Sequence, residues 1–304
     1  GRMIHANKVL MLIRREVWEN RSLWITPLVL SGVLLVSAAF SGSPVADGHG
    51  GLHIGPSMPP EALMTPDAAK RDGVYAGAIS VLTLGQLVVL GIVVFFYLLD
   101  SLLQERKDRS ILFWKSLPIS DSEVVLSKAL TALVLAPLIV LAVSAVTQIL
   151  FGGIMWLRFH GTVVGAWVTA WNPLMWLKVQ AGSLALVLAV VVWYLPLAGY
   201  LLLVSVWARK NAFLWAVLPP AAVLLIEALI LQSHNFGDFL GRRFAGVFMV
   251  MDFPKGDDVA GPSLGEFLGH VGRVFTHHET WLGVLVAIGF AVAVIRIRRY
   301  RDDS

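Results

Sequence analysis

The residues best placed to do chemistry cluster in one stretch. Glu105 and Arg106 lead a charged run from Gln104 to Ser110 that passes through Arg109 into bulky Ile111, Phe113 and Trp114 and stops at Leu117-Pro118. A carboxylate beside a guanidinium suits mechanical work, because charge-assisted hydrogen bonds resist displacement better than neutral ones. Pro118 has no amide donor and disfavours helix in the residue before it. Just beyond, Ser120-Asp121-Ser122-Glu123 has capping-box spacing, in which the Ser120 hydroxyl accepts from the Glu123 amide while the Glu123 carboxylate reaches back. Asp100 to Lys128 therefore reads as a short amphipathic helix, a sharp break and a capped new helix. Ile111, Phe113 and Trp114 have two readings, an apolar knob for a partner's groove or an anchor in lipid.

A second candidate is Glu227, the one ionisable residue well inside an apolar run. A charge near a bilayer centre costs about 2.5–3.5 kcal/mol, so such residues face a cavity or a partner. Three readings stand for it: snorkelling from the end of its span, a pair with Arg242 or Arg243, or a place in a pathway or gate. Seven of the eight histidines, His49, His53, His160, His234, His270, His277 and His278, fall in loops on one side. A metal site needs three or four converging ligands, and none is expected here.

Other chemistries lack their residues. The chain has no G-x-x-x-x-G-K-[ST] string to cradle phosphates, no H-E-x-x-H and no G-x-S-x-G, and no cysteine. No nucleotide, metal or other cofactor is expected on this chain, and no enzymatic activity.

With 57% hydrophobic and 14% charged residues, the 304-residue chain has too few solvating groups for a soluble globule. An all-α integral membrane fold in one transmembrane domain is expected. Six spans are read at 23–40, 74–99, 124–151, 179–206, 212–231 and 281–295, each near the ~20 residues a bilayer core requires. Gly1-Arg2-Met3 is read as a remnant before the native start. Residues 4–21 mix Val9, Ile13 and Val17 at helical spacing with Arg14, Arg15, Glu16 and Trp18, which fits an interfacial helix. Gly152 to Lys178, crowded with tryptophans, reads as a surface or re-entrant helix. Counting it as a span would put Arg209, Lys210 and the arginine-rich end on the other side. Residues 232–280 form a loop with short helices at Phe239–Met251 and Leu264–Phe275, and Pro60 to Arg71 reads as another. Pro137, Pro196, Pro219 and Pro220 read as kinks.

Charge orients these elements. With both ends, residues 100–128 and the Arg209-Lys210 turn in the cytoplasm, sixteen of the 24 Lys and Arg lie inside and eight outside, the asymmetry that cytoplasmic loops carry. Inner basic clusters are also drawn to anionic lipid.

The 100–128 stretch resembles the cytoplasmic loop between the second and third spans of type-2 ABC exporter permeases, on Glu105, Arg106, Leu117, Pro118, Glu123 and Lys128. The resemblance implies that the short helix is a coupling helix docking on a separately encoded ATPase subunit. It further implies two copies of that ATPase carrying ATP and Mg, a second permease copy as partner, no nucleic-acid partner, and a multi-pass place in a bacterial inner membrane. Motor closure would push Arg106 to Leu117 and the N-terminal interfacial helix. Apolar spans fit an amphipathic drug, peptide or lipid-like cargo. The competing reading is an ATPase-independent channel, ion-coupled transporter or assembly scaffold.

Overall fold

Long apolar runs with few charges fold here as long helices. The computed structural model describes residues 2–40, 68–107, 119–161, 172–252 and 263–300. These contain α1 (Arg2–Glu19), α2 (Ser22–Phe40), α3 (Ala68–Lys107), α4 (Asp121–Leu130), α5 (Ala136–Phe159), α6 (Pro173–Trp207), α7 (Ala212–Ile226), α8 (Asn235–Met251), α9 (Leu264–Thr276) and α10 (His278–Tyr300). No strand occurs among the described residues. Six helical stretches are long and apolar enough to cross a membrane: Ser22–Phe40, Ala76–Glu105, Asp121–Phe159, Pro173–Trp207, Ala212–Ile230 and His278–Tyr300.

Helix ends follow local chemistry. Ser120 caps α4, its hydroxyl accepting from the Glu123 amide at 3.2 Å while its own amide donates to Glu123 at 2.8 Å. Asn172 caps α6 through the Leu174 amide, with Pro173 in the first turn, where its missing donor costs nothing. Ser263 and Glu266 form a second capping box at α9, and the Ser263 amide holds the Glu266 carboxyl below its ordinary range. Asn211 starts α7 from a left-handed conformation, which asparagine tolerates.

Pro137 acts through a π-turn. The five residues Thr131–Leu135 between α4 and α5 are π-helical, and the Ala136 amide donates to Thr131. Proline offers no amide to the carbonyl four residues earlier, so the ladder slips by one before it. A second π-turn, Glu227–Leu231, ends the α7 span.

Helix α6 is the axis of the bundle. One side meets α3, where the Ser205 hydroxyl accepts from the Leu102 and Leu103 amides at 3.0 and 3.2 Å. Another meets α10, whose Phe290 lies against Gly199; a small residue lets two backbones approach, the main source of helix attraction in lipid. Helix α2 lies on α5, and α1 crosses the start of α4. The main core gathers Leu98, Leu99, Leu102, Leu103, Val140, Leu201, Leu202 and Val294. A smaller one joins Ala189 and Trp193 of α6 to Val247 and Met251 of α8 and Val271 and Val274 of α9.

The helices overrun several expected bounds. The second span lies within a 40-residue helix, and helix continues past Phe151 to Phe159. The sequence places a water interface at Asp100, yet buried leucines on both sides of it hold α3 together to Lys107.

Candidate functional site

Four helix ends meet at the Glu105 end of α3 and bring five ionised side chains together. Lys128, two turns into α4, donates to Glu16 of α1 at 2.8 Å and lies 3.1 Å from Glu105. Arg298, near the end of α10, donates through Nη1 to the other Glu105 oxygen at 2.7 Å and through Nε to Asp121 at 2.9 Å. Tyr97 adds its hydroxyl to Glu16 at 2.8 Å, and the Asn20 amide approaches the same oxygen at 3.2 Å.

The charges are dry. Glu16, Glu105, Lys128 and Arg298 are each 3–6% exposed. Taking an ion out of water costs several kcal/mol, repaid only when geometry is good and every lone pair is used. Here Glu16 has three partners, Glu105 at least two, and each cation two acceptors. Three carboxylates against two cations leave one excess negative charge, which Tyr97 and Asn20 help to solvate.

The topology of this cluster matters more than its energy. Glu105 precedes residues 108–118 and Asp121 follows them, and a single guanidinium holds both. The two ends of that segment are thus tied to each other and to α10, while Lys128 ties them to α1.

The other expected residues fall as follows. Glu123 is buried in the α4 cap. On α1, Glu16 faces inward; Arg14 and Trp18 point outward, and Arg15 pairs with Glu19 along the helix. Arg109, Ile111, Phe113, Trp114, Leu117 and Pro118 lie outside the described residues, as does the side chain of Arg106.

Glu227 is a helix cap. Its carboxylate accepts from the Phe236 and Gly237 amides at 2.8 and 3.0 Å and from the Ser233 hydroxyl at 3.1 Å, so it closes the first turn of α8 onto the end of α7. Of its three readings, the pair with Arg242 or Arg243 is not made: Arg242 lies 3.9 Å from Glu279, and Arg243 donates to the Trp193 and Glu279 carbonyls. The free amides of a helix start outcompete a mobile arginine because they are already aligned. Among the described residues no group of three or more His, Asp and Glu converges on a metal position.

Sequence reasoning passed over Arg298 and Asp121 and took Lys128 only as a spacing match. Lys128 carried a signal, being a lone cation at the start of an apolar helix. Arg298 carried little, because it sits among Arg296, Arg299 and Arg301 and only the turn of α10 selects it. A second polar layer, wholly neutral, was also missed. Gln86 donates to Ser31 at 2.8 Å and accepts from Ser144; Gln148 donates to Thr83 at 2.8 Å and accepts from Trp176 and Gln180. Gln86 lies 19 residues before Glu105, and Gln148 20 residues after Lys128. At 1.5 Å per residue the two layers are about 28–30 Å apart, the thickness of one hydrocarbon core.

No family model, curated protein or solved structure matches the chain.

Proposed function

We propose that this chain is the membrane subunit of an ATP-driven exporter, working as a dimer with two separate ATPase subunits that carry the ATP and Mg. The observation that carries the reading is the Arg298 guanidinium bonded to both Glu105 and Asp121. A segment pushed from outside would otherwise hinge at its two ends; cross-tied, it moves α3, α4 and α10 as one body, and the Lys128–Glu16 bond carries α1 with them. In this reading residues 106–117 are the coupling helix, both chain ends are cytoplasmic, α1 lies along the inner leaflet, α8 and α9 are on the outer side, and the membrane is a bacterial inner membrane. The cargo is an amphipathic, lipid-like or peptide molecule, in keeping with the apolar spans.

The test is reconstitution with the ATPase that copurifies. Glu105→Gln keeps size and hydrogen-bonding capacity but removes the charge that holds Lys128 and Arg298. Substrate-stimulated ATP hydrolysis should persist while transport per ATP falls several-fold. Equal transport per ATP in Glu105→Gln and wild type overturns the coupling role. Absence of any bound ATPase favours the motor-independent reading.

A further inference from the structure

Helix α6 carries no Asp, Glu, Lys or Arg from 179 to 208, a run of 30 residues between Lys178 and Arg209. At 1.5 Å per residue that is about 45 Å, a whole bilayer with its headgroups. Residues 73–99 of α3 and 129–157 of the α4–α5 helix are uncharged over 27 and 29 residues, about 40–43 Å. The last span differs. Between Glu279 and Arg296 of α10 there are only 16 residues, 280–295, about 24 Å.

The missing height is filled by a second helix. Phe267 of α9 lies against Gly182 of α6, Val271 and Val274 pack with Ala189 and Trp193, and α10 takes over from there, with Phe290 on Gly199. Helices α9 and α10 thus descend α6 in series, broken at His277, whose backbone is extended. The break is built rather than frayed: the Thr280 hydroxyl donates to the Val274 carbonyl, and the Trp281 indole to that of Phe275 at 2.8 Å.

Positive charge collects at this break, beside Trp193 at the midpoint of the uncharged run of α6. Arg243 reaches in from α8, its guanidinium 4.7 Å from the Trp193 ring centre, and donates to the Trp193 and Glu279 carbonyls. Its Nη2 would be 2.1 Å from a Cβ on Gly283, so a side chain there would push the guanidinium out of this position. Arg242 lies 3.9 Å from Glu279 and is more than half exposed. The rings of His277 and His278 stack at 4.7 Å. Two buried nitrogens there, Arg243 Nε and His277 Nδ1, have no hydrogen-bond partner. Around them α8 and α10 expose Phe244, Phe248, Met249 and Trp281. Two guanidiniums and one carboxylate, set among exposed aromatic side chains, call for an anion with an apolar tail.

We propose that the break between α9 and α10 is a site for an anionic phospholipid from the leaflet farther from the ion-paired layer, in which the exposed Arg242 and His278 receive the headgroup phosphate, Arg243 adds its charge from behind, and Phe244 and Phe248 flank the chains. Guanidinium forks match phosphate geometry. The short height of α10 brings that leaflet's headgroups down to the break, a local thinning whose cost is a fraction of a kcal/mol per Å. The proposal is independent of the exporter reading.

Native mass spectrometry of the full chain, extracted from bilayers of equal phosphatidylglycerol and phosphatidylcholine, tests it. Phosphatidylglycerol should be retained preferentially. Arg242→Gln and His278→Gln, both at exposed side chains, should each lower that preference, the arginine by about fivefold, the value of one basic residue near an anionic surface. Lys178→Gln, at an exposed basic residue on the same side but at the far end of α6, should lower it by less than Arg242→Gln does, and millimolar inorganic phosphate should not displace the lipid. Equal retention of the two lipids, an unchanged preference in both variants, an equal loss in Lys178→Gln, or displacement by inorganic phosphate would each overturn the assignment.

Discussion

Arg298 shows how one side chain can change the meaning of a segment it does not belong to. It is 177 residues from Asp121 and 193 from Glu105, yet it joins the two ends of residues 108–118. Truncation should therefore be costly: Arg298→Ala leaves Glu105 short of a partner in a dry site and releases the half-buried Asp121, a loss of about 3–5 kcal/mol, to be read as a lower thermal midpoint of the purified chain. Arg298→Lys should recover only part, since an ammonium cannot bond both carboxylates with fixed fork geometry. Lys128 and Glu16 give a sharper check. Each single change, Lys128→Met or Glu16→Gln, should destabilise more than half as much as the two together, because the second removes a charge the first had stranded. Strictly additive losses in a double-mutant cycle would mean that the two do not interact.

At the scale of elements, the break at His277 and the cap at Glu227 serve related ends. Both close a helix end where backbone groups would otherwise lie bare, one with side chains of α10, the other with a carboxylate of the α7 span. Glu227→Ala should loosen the start of α8 by about 1 kcal/mol, the usual worth of a cap, with faster amide exchange confined to Phe236 and Gly237. Protection unchanged at these amides would remove the cap from the account. Gly283→Ala tests the neighbouring contact. A methyl there meets only the far end of the flexible Arg243 side chain, which can swing aside at little cost in stability; the variant should lose the Arg243–Trp193 contact, seen as altered tryptophan fluorescence.

For the whole molecule, the two polar layers describe a bundle pinned at both ends of the hydrocarbon core, by ion pairs at one and neutral hydrogen bonds at the other. The asymmetry has a physical basis: an ion-paired layer tolerates a wet surface beside it, and uncharged Gln, Ser and Thr cost less within apolar helices. The proposed orientation puts the ion-paired end in the cytoplasm. Because the chain has no cysteine, single substitutions report cleanly. Arg209→Cys should react with a membrane-impermeant maleimide only from the cytoplasmic side and Lys178→Cys only from the other; the reverse pattern would invert the topology.

Six spans, the α4 capping box, the amphipathic α9 and the helix irregularity before Pro137 were legible in the sequence, because each depends on neighbours within a few turns: apolar run length, a serine three residues before a glutamate, a proline. Glu105 and Glu16 could be singled out as charges beside apolar runs, but their partners could not be named. Pairing between residues more than a hundred positions apart is set by the rotation of each helix about its axis, which chain order does not encode. Of the four arginines that close the chain, only packing against α6 decides that Arg298 turns inward. The same holds for Glu227, whose isolation among apolar residues advertised a cost to be met, while its helix-capping answer came from a fold-back that brings α8 to the end of the α7 span. Local chemistry was written in the residues; the choice of partner belongs to the packed bundle.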